Sequence, residues 1–257
     1  MAEAGECLAK GIDINTRAFQ FGREGMPLWT EGMSALHYAA AKGKNKMAAF
    51  LLAKGAAVNM RGGWLGAPFQ TPLDLALEHG HEDTARLLRE HGAISLTELM
   101  EADADKGRSL IKSSTDPNCL DAYKRTLLHW AAERGVADVA AALIERGVDV
   151  NARDWLDRTP LHFATREGHE AVALLLMGNE ADANATDTRG RTPLYWAATC
   201  GNVAIIKALL AKNADPNIKP FADRTPLECA EWQHHGEAAA LLLKHGAKRS
   251  KDLRERH

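Results

Sequence analysis

The sequence predicts an all-α fold, a solenoid of stacked helix-turn-helix units, and three observations carry that prediction. The leucines Leu128, Leu161, Leu194 and Leu227 stand 33 residues apart, and two earlier copies, Leu36 and Leu73, stand 37 apart. Each sits in a helix-start motif, seen as Ser34-Ala35-Leu36-His37, Thr71-Pro72-Leu73-Asp74 and Thr159-Pro160-Leu161-His162. Behind each motif, apolar residues recur at helical spacing and close on a polar turn. A fixed period of this size is the signature of a repeat architecture and outranks any purely local reading.

The stretch from Arg158 to Asp187 shows the unit most clearly. Thr159 is an N-cap whose hydroxyl can accept from an orphan helix N–H, and Pro160 follows where its missing donor costs nothing. Leu161 and Ala164 open an apolar face, and Gly168 closes this short helix by tolerating positive φ. Val172, Leu175 and Leu176 mark a second helix at i, i+3, i+4. Asp182-Ala183-Asn184 is the polar turn. One such unit cannot bury its own apolar face, so it needs neighbours.

The 33-residue length, the TPLH-like motif, the Gly-His pairs (Gly80-His81, Gly168-His169) and the turn from Gly147 to Asn151 resemble the ankyrin repeat. The resemblance covers six clear repeats within residues 34–247. It implies antiparallel helix pairs with β-hairpin finger loops projecting from the stack, a non-catalytic role, and partner proteins bound on a concave face. It also implies that the motif histidines His37, His129 and His162 make structural hydrogen bonds between repeats. The residues after the motif's fourth position, Tyr38, Leu75, Trp130, Phe163 and Trp196, are expected in the core.

Counting back from each turn asparagine gives a ruler. An aliphatic pair precedes Asn151 by eight and seven residues (Leu143, Ile144), and Cys7 and Leu8 precede Asn15 at the same distances. Residues 1–33 are therefore expected to be an N-terminal half-repeat cap with an extended finger. Regular fingers place eight residues between the asparagine and the motif threonine, as from Asn151 to Thr159; from Asn15 to Ser34 the distance is 19. The second finger, from Asn59 to Thr71, is four residues too long. Loops lengthened in this way are tolerated cheaply and tend to carry function.

The centre has the opposite departure. Leu73 to Leu128 is 55 residues, eleven short of two repeats. The ruler applied to Asn118 keeps a second helix around Leu110 and Ile111, so the finger is what is lost. Ser95 and Glu98 then read as a capping box opening a finger-less repeat at about 93–118. In the last repeat His234 stands where earlier repeats have glycine, so either it adopts left-handed backbone or the first helix continues to Gly236. Residues 248–257 form a polar, basic C-terminal tail.

Of fifteen aromatic residues, eight fall in fingers: Phe19, Phe21, Trp29, Trp64, Phe69, Tyr123, Trp155 and Phe221. Aromatic side chains bring large contact area with few rotors, which makes them anchors for a partner. For the two long fingers, mutual packing is the competing reading. At the ends of the first helices, Glu133, Arg134, Arg166 and Glu167 would rim the same surface and set specificity. The sequence thus points to an adaptor, inhibitor or effector that binds another protein. The alternative is a metal- or small-ligand-binding enzyme using His79 and His81 or His234 and His235. Neither pair lies in HExxH or beside CxxC, and no phosphate loop or GxSxG elbow occurs, so no cofactor is expected and no catalytic residue is assigned.

The formal net charge of −2, with acids and bases interspersed, argues against a nucleic-acid grip. The four cysteines, Cys7, Cys119, Cys200 and Cys229, form no framework. With no apolar run long enough to cross a bilayer and no leader pattern, the expectation is a cytoplasmic or otherwise intracellular monomer with no membrane partner.

Overall fold

The computed structural model describes residues 13–15, 33–62, 70–101, 109–111, 118, 120–121, 123–221 and 224–253. The chain divides into two compact units, residues 1–123 and 124–257. Cys7 and Leu8 lie outside the described residues, as does the long stretch that follows Asn15.

The first unit contains α1 (Ala35–Ala41), α2 (Asn45–Ala53), α3 (Pro72–Glu78), α4 (Glu82–Glu90) and α5 (Leu96–Glu101), with residues 109–111 also helical. First helices stack on first helices (α1 on α3) and second on second (α2 on α4). The interior is aliphatic, with Leu36, Leu51, Leu73 and Leu88 buried together among alanines. Alanine at the helix contacts lets neighbouring helices approach closely, and each buried leucine stabilises the stack by about 1.5–3 kcal/mol.

The second unit holds four helix pairs: α6 (Leu127–Arg134) and α7 (Ala137–Glu145), α8 (Pro160–Glu167) and α9 (Glu170–Gly178), α10 (Pro193–Thr199) and α11 (Val203–Ala211), α12 (Pro226–Trp232) and α13 (Gly236–Lys244). A 3-10 turn at Ser250–Leu253 follows. The periodic leucines Leu128, Leu161, Leu194 and Leu227 are all fully buried, as are Leu143, Leu176, Leu209 and Leu242 of the second helices. The 33-residue period is thus a period of core positions.

Within each unit, two sets of side chains join neighbouring repeats. His162 accepts the Thr159 N–H at Nδ1 (3.1 Å) and reaches the Arg191 carbonyl with Nε2 (3.1 Å). An N–H can only donate, so Nδ1 is bare and the proton sits on Nε2. His129 and His37 repeat the arrangement toward the carbonyls of Arg158 (3.0 Å) and Gln70 (3.2 Å). The turn asparagines form the second set. Asn184 accepts the Asp215 N–H (2.7 Å) and donates to the Asn213 carbonyl (3.1 Å); Asn151 and Asn217 do the same one repeat earlier and later. In the first unit Asn15 makes the same kind of contact, accepting from the Ala57 N–H (2.8 Å).

The fingers of the second unit are hairpin turns, closed by Asp154 N–H to Arg158 O and Asp187 N–H to Arg191 O, each 3.0 Å. Among the described residues they contain no strand; two isolated bridges, Arg61 with Asp121 and Gly62 with Gln70, occur in the first unit.

Several expectations need correction. Ser95 caps α5 by accepting the Glu98 N–H (3.1 Å), but Glu98 does not close the box; its carboxylate turns outward to Arg89. Asp74 of the preceding repeat takes over, accepting from the Ser95 hydroxyl (2.6 Å) and the Thr97 N–H (3.3 Å). Of the aromatic positions assigned to the core, Trp130 and Phe163 are buried, whereas Tyr38 and Trp196 are only half-buried. Each of those two lies under a single cation, Lys44 over Tyr38 and Arg191 over Trp196. In the pair before Asn118, Ile111 is fully buried and Leu110 half-buried, the reverse of Leu143 and Ile144. His234 takes the left-handed alternative, with φ 61°, and α12 ends at Trp232.

The buried His162 gives the fold a pH dependence. Burial pulls its imidazole down from 6.5 to about 4. As pH falls, the unfolded chain therefore takes a proton first, so stability is fully present above 6.5 and is lost toward 4. The stability lost between pH 7 and pH 5 through this residue is about 2 kcal/mol. Urea unfolding of the wild-type chain and of H162Q should show it; equal pH slopes in the two proteins would contradict it. A second expectation concerns Gly135, at φ 72°, where an added Cβ would stand 2.5 Å from the His169 ring. Gly147, at φ 75°, has open space at the same point. Both alanine variants carry backbone strain of order 1–3 kcal/mol. G135A should melt distinctly lower than G147A, and equal melting temperatures would mean that the His169 contact is not tight.

Candidate partner-binding surface

The surface begins with how a finger is held rigid. Asp154 is buried at the finger base; one oxygen accepts the Leu156 and Arg158 N–H groups (2.9 and 2.8 Å) and the other meets the Arg158 guanidinium at 2.9 and 2.7 Å. Asp187 and Arg191 repeat this in the next finger. A buried aspartate with its lone pairs filled by backbone and guanidinium donors locks the turn. Neighbouring fingers are then tied by Thr188 N–H to Leu156 O (2.9 Å) and Phe221 N–H to Arg189 O (3.1 Å).

These tips present Trp155, Thr188 and Phe221 at one register, each 33 residues after the last. Trp155 is 56% exposed and Phe221 85%. Tyr123, by contrast, is half-buried, with its N–H on Asp121 (2.8 Å). Phe19, Phe21, Trp29, Trp64 and Phe69 lie outside the described residues.

The ends of the first helices carry a charge network. Glu133 pairs with Arg125 (3.1 Å) and Arg166 (3.5 Å), and Arg166 with Glu167 (2.7 Å). Glu133 and Arg166 are half-buried, while Arg134 and Glu167 are exposed. The guanidinium groups of Arg158 and Arg166 both lie over Phe163, at 4.5 and 5.2 Å from its centroid. Cation–π stacking of this kind keeps the arginines extended across the surface rather than free in solvent.

Sequence reasoning missed Trp232, which is 63% exposed and sits under the Arg224 guanidinium at 4.1 Å. The period would have found it: positions 133, 166, 199 and 232 are the same helix-exit position.

Three of the four histidines named for the alternative are occupied by backbone. His79 meets the Leu75 carbonyl (2.9 Å), His81 the Ala41 carbonyl (3.2 Å) and His235 the Thr199 carbonyl (3.1 Å). The His79 and His81 rings are stacked with centroids 6.3 Å apart, as partners in packing. Among the described residues no group of three or more His, Cys, Asp and Glu is placed to hold a metal. Cys200 is exposed, and burial of its sulfur together with the Glu167 charge pushes its thiol up, away from a reactive thiolate. Among the described residues, no helix is long and apolar enough to cross a membrane.

A search of curated proteins finds no match to this chain. The family model for ankyrin repeats, however, matches three times, over residues 3–98, 99–187 and 170–252. Such repeats are generally protein–protein interaction modules and typically non-catalytic. With matched segments reaching from residue 3 to residue 252 and the helix pairs stacked in the register of the period, the chain belongs to the ankyrin-repeat family.

Proposed function

We propose that this protein is a non-catalytic binding module that captures a partner protein on the face formed by its finger tips and the ends of its first helices. The observation that carries the reading is the pair Trp155 and Phe221, large aromatics in solvent at one register, Trp155 on a finger locked by Asp154 and Phe221 tied to the neighbouring locked finger through the Arg189 carbonyl. A pre-organised tip loses little entropy on binding, so the area it buries converts efficiently into affinity. Glu133, Arg134, Arg166 and Glu167 rim the same face and set which partner fits. Tyr123 and the aromatics Phe19, Phe21, Trp29, Trp64 and Phe69 of the long N-terminal fingers extend this contact set on sequence grounds.

The reading includes a division of labour along the chain. Residues 1–33 serve as a cap with an extended finger, residues 34–247 as the array, with its finger-less repeat at about 93–118, and residues 248–257 as the tail. Three contacts support that division: Asn15 bonds forward to Ala57 (2.8 Å), Asn59 reaches Gly92 and Ile94 (3.0 and 2.7 Å), and Ser250 docks on Glu228. The mechanism is steric: the bound partner is masked, recruited or held in one conformation. A cytoplasmic or otherwise intracellular monomer suits this role.

A photo-crosslinking amino acid placed at position 155 or 221 tests the surface directly. Both positions should yield a discrete protein adduct in native extract, and the same probe at Lys207, on the outer helix α11, should not. W155A and F221A should melt within about 0.5 kcal/mol of the wild type, as surface substitutions do. Adducts formed only from position 207, or a large stability loss in W155A, would contradict the proposal.

A further inference from the structure

The last finger lacks the device that locks the two before it. Arg158 and Arg191 each grip a fully buried aspartate, Asp154 and Asp187, at the finger base. The next position in that register is 220, and it is proline; Arg224, which follows Arg158 and Arg191 at the same spacing, has no such carboxylate. Its guanidinium is exposed and instead rests on Trp232, itself mostly in solvent. Pro220 does keep the finger in place, packing its Cα against Gly190, where an added Cβ would stand 3.2 Å away.

Among the described residues, the carboxylates of Glu228 and Glu231 on the following helix are already engaged. Glu228 accepts from the Thr225 N–H (2.8 Å) and from the Ser250 hydroxyl (2.6 Å), and Glu231 pairs with Arg249. Among the described residues none pairs with Arg224. Arg189 and Lys219, at neighbouring points of the same two fingers, are exposed and add to the positive charge. Phe221 lies three residues before Arg224 and is bonded to Arg189 through its N–H (3.1 Å). Among the described residues, the end of the second unit therefore shows a cation with no paired carboxylate, resting on the exposed Trp232, with the exposed Phe221 on the same finger.

We infer that this corner receives an acidic peptide segment of the partner: an aspartate or glutamate takes on Arg224 the place that Asp154 and Asp187 fill internally, and an adjoining apolar side chain packs on Phe221 and Trp232. This rests on the partner-binding reading above and assigns its chemistry at one end of the face. A guanidinium resting on an indole is pre-positioned for a two-pronged grip on a carboxylate, and the indole shields one side of that pair from water. Arg189 and Lys219 steer the same acidic segment.

The test uses the full chain to pan a random peptide library displayed on phage, with counter-selection on R224Q. Selected peptides should carry Asp or Glu beside Trp, Phe or Leu. Their affinity should fall about tenfold or more in R224Q, the loss expected for one partner of a desolvated charge pair. P220D should weaken binding similarly while melting no lower than the wild type, because it restores the internal aspartate. W232A should weaken binding with the charge still present. Enrichment of uncharged or basic peptides, affinity unchanged in R224Q, or binding of an oligodeoxythymidine strand in place of the peptides would each overturn the inference. Acidic peptides that depend on Trp155 but not on Arg224 would overturn it and leave the wider reading standing; loss of adducts from both 155 and 221 would remove that reading instead.

Discussion

Every first helix that carries the motif histidine opens with a polar side chain whose inner end serves its own helix and whose outer end belongs to the next repeat. His162 shows the arrangement in full, with Nδ1 on Thr159 and Nε2 on the Arg191 carbonyl. Both ends are buried, so neither can fall back on water, and a repeat without its neighbour would leave donors and acceptors unmatched at a cost of about 1–3 kcal/mol each. The turn asparagines make the same forward link at the other end of the unit, in bonds that water can reach. Leucine packing supplies most of the energy, but it is compatible with sliding; the hydrogen bonds fix one register. That register is what sets Trp155, Thr188 and Phe221 in one row.

The rule also explains its own exceptions. Where a finger follows, the partner is a carbonyl, and a histidine Nε2–H can donate to it. After Asp74 no finger intervenes, and the next repeat offers the start of a helix, whose groups are donors. The acceptor-only carboxylate of Asp74 meets the Ser95 hydroxyl and the Thr97 N–H. Glu228, in the final repeat, likewise faces the N–H and hydroxyl of Ser250 in the closing 3-10 turn (3.1 and 2.6 Å). An acid at the histidine position thus reports that the following unit begins with donors. The charge at one position and the length of the next loop are two readings of one constraint.

Much of the fold was legible in the sequence because periodicity registers burial. The leucines that recur every 33 residues are the ones with no solvent contact, and the threonine-proline starts coincide with the helix starts at Pro72, Pro160, Pro193 and Pro226. What escaped depends on neighbours that spacing does not encode. Tyr38 and Trp196 share a position with Phe163, yet only Phe163 lies beneath two arginines and is fully covered. Glu98 has the right spacing for a capping box, but Arg89 offers it a stronger partner outside the turn. For the surface, the finger position of Trp155 and Phe221 was legible, and both side chains are exposed. Trp232 sits at the helix-exit position two periods after Arg166, and the meaning of Arg224 depends on Asp154 and Asp187 being buried, which spacing does not encode.

The account stands or falls on whether repeat-to-repeat bonds act locally, each neighbour completing the next. Amide hydrogen exchange on an N184A chain addresses this most directly, because Asn184 alone holds the Asp215 N–H while Asn151 holds that of Asp182. The account expects the Asp215 amide to lose its protection and the fold to weaken by about 0.5–1.5 kcal/mol, with the Asp182 amide exchanging as before. An Asp215 amide as slow as in the wild-type chain would contradict it.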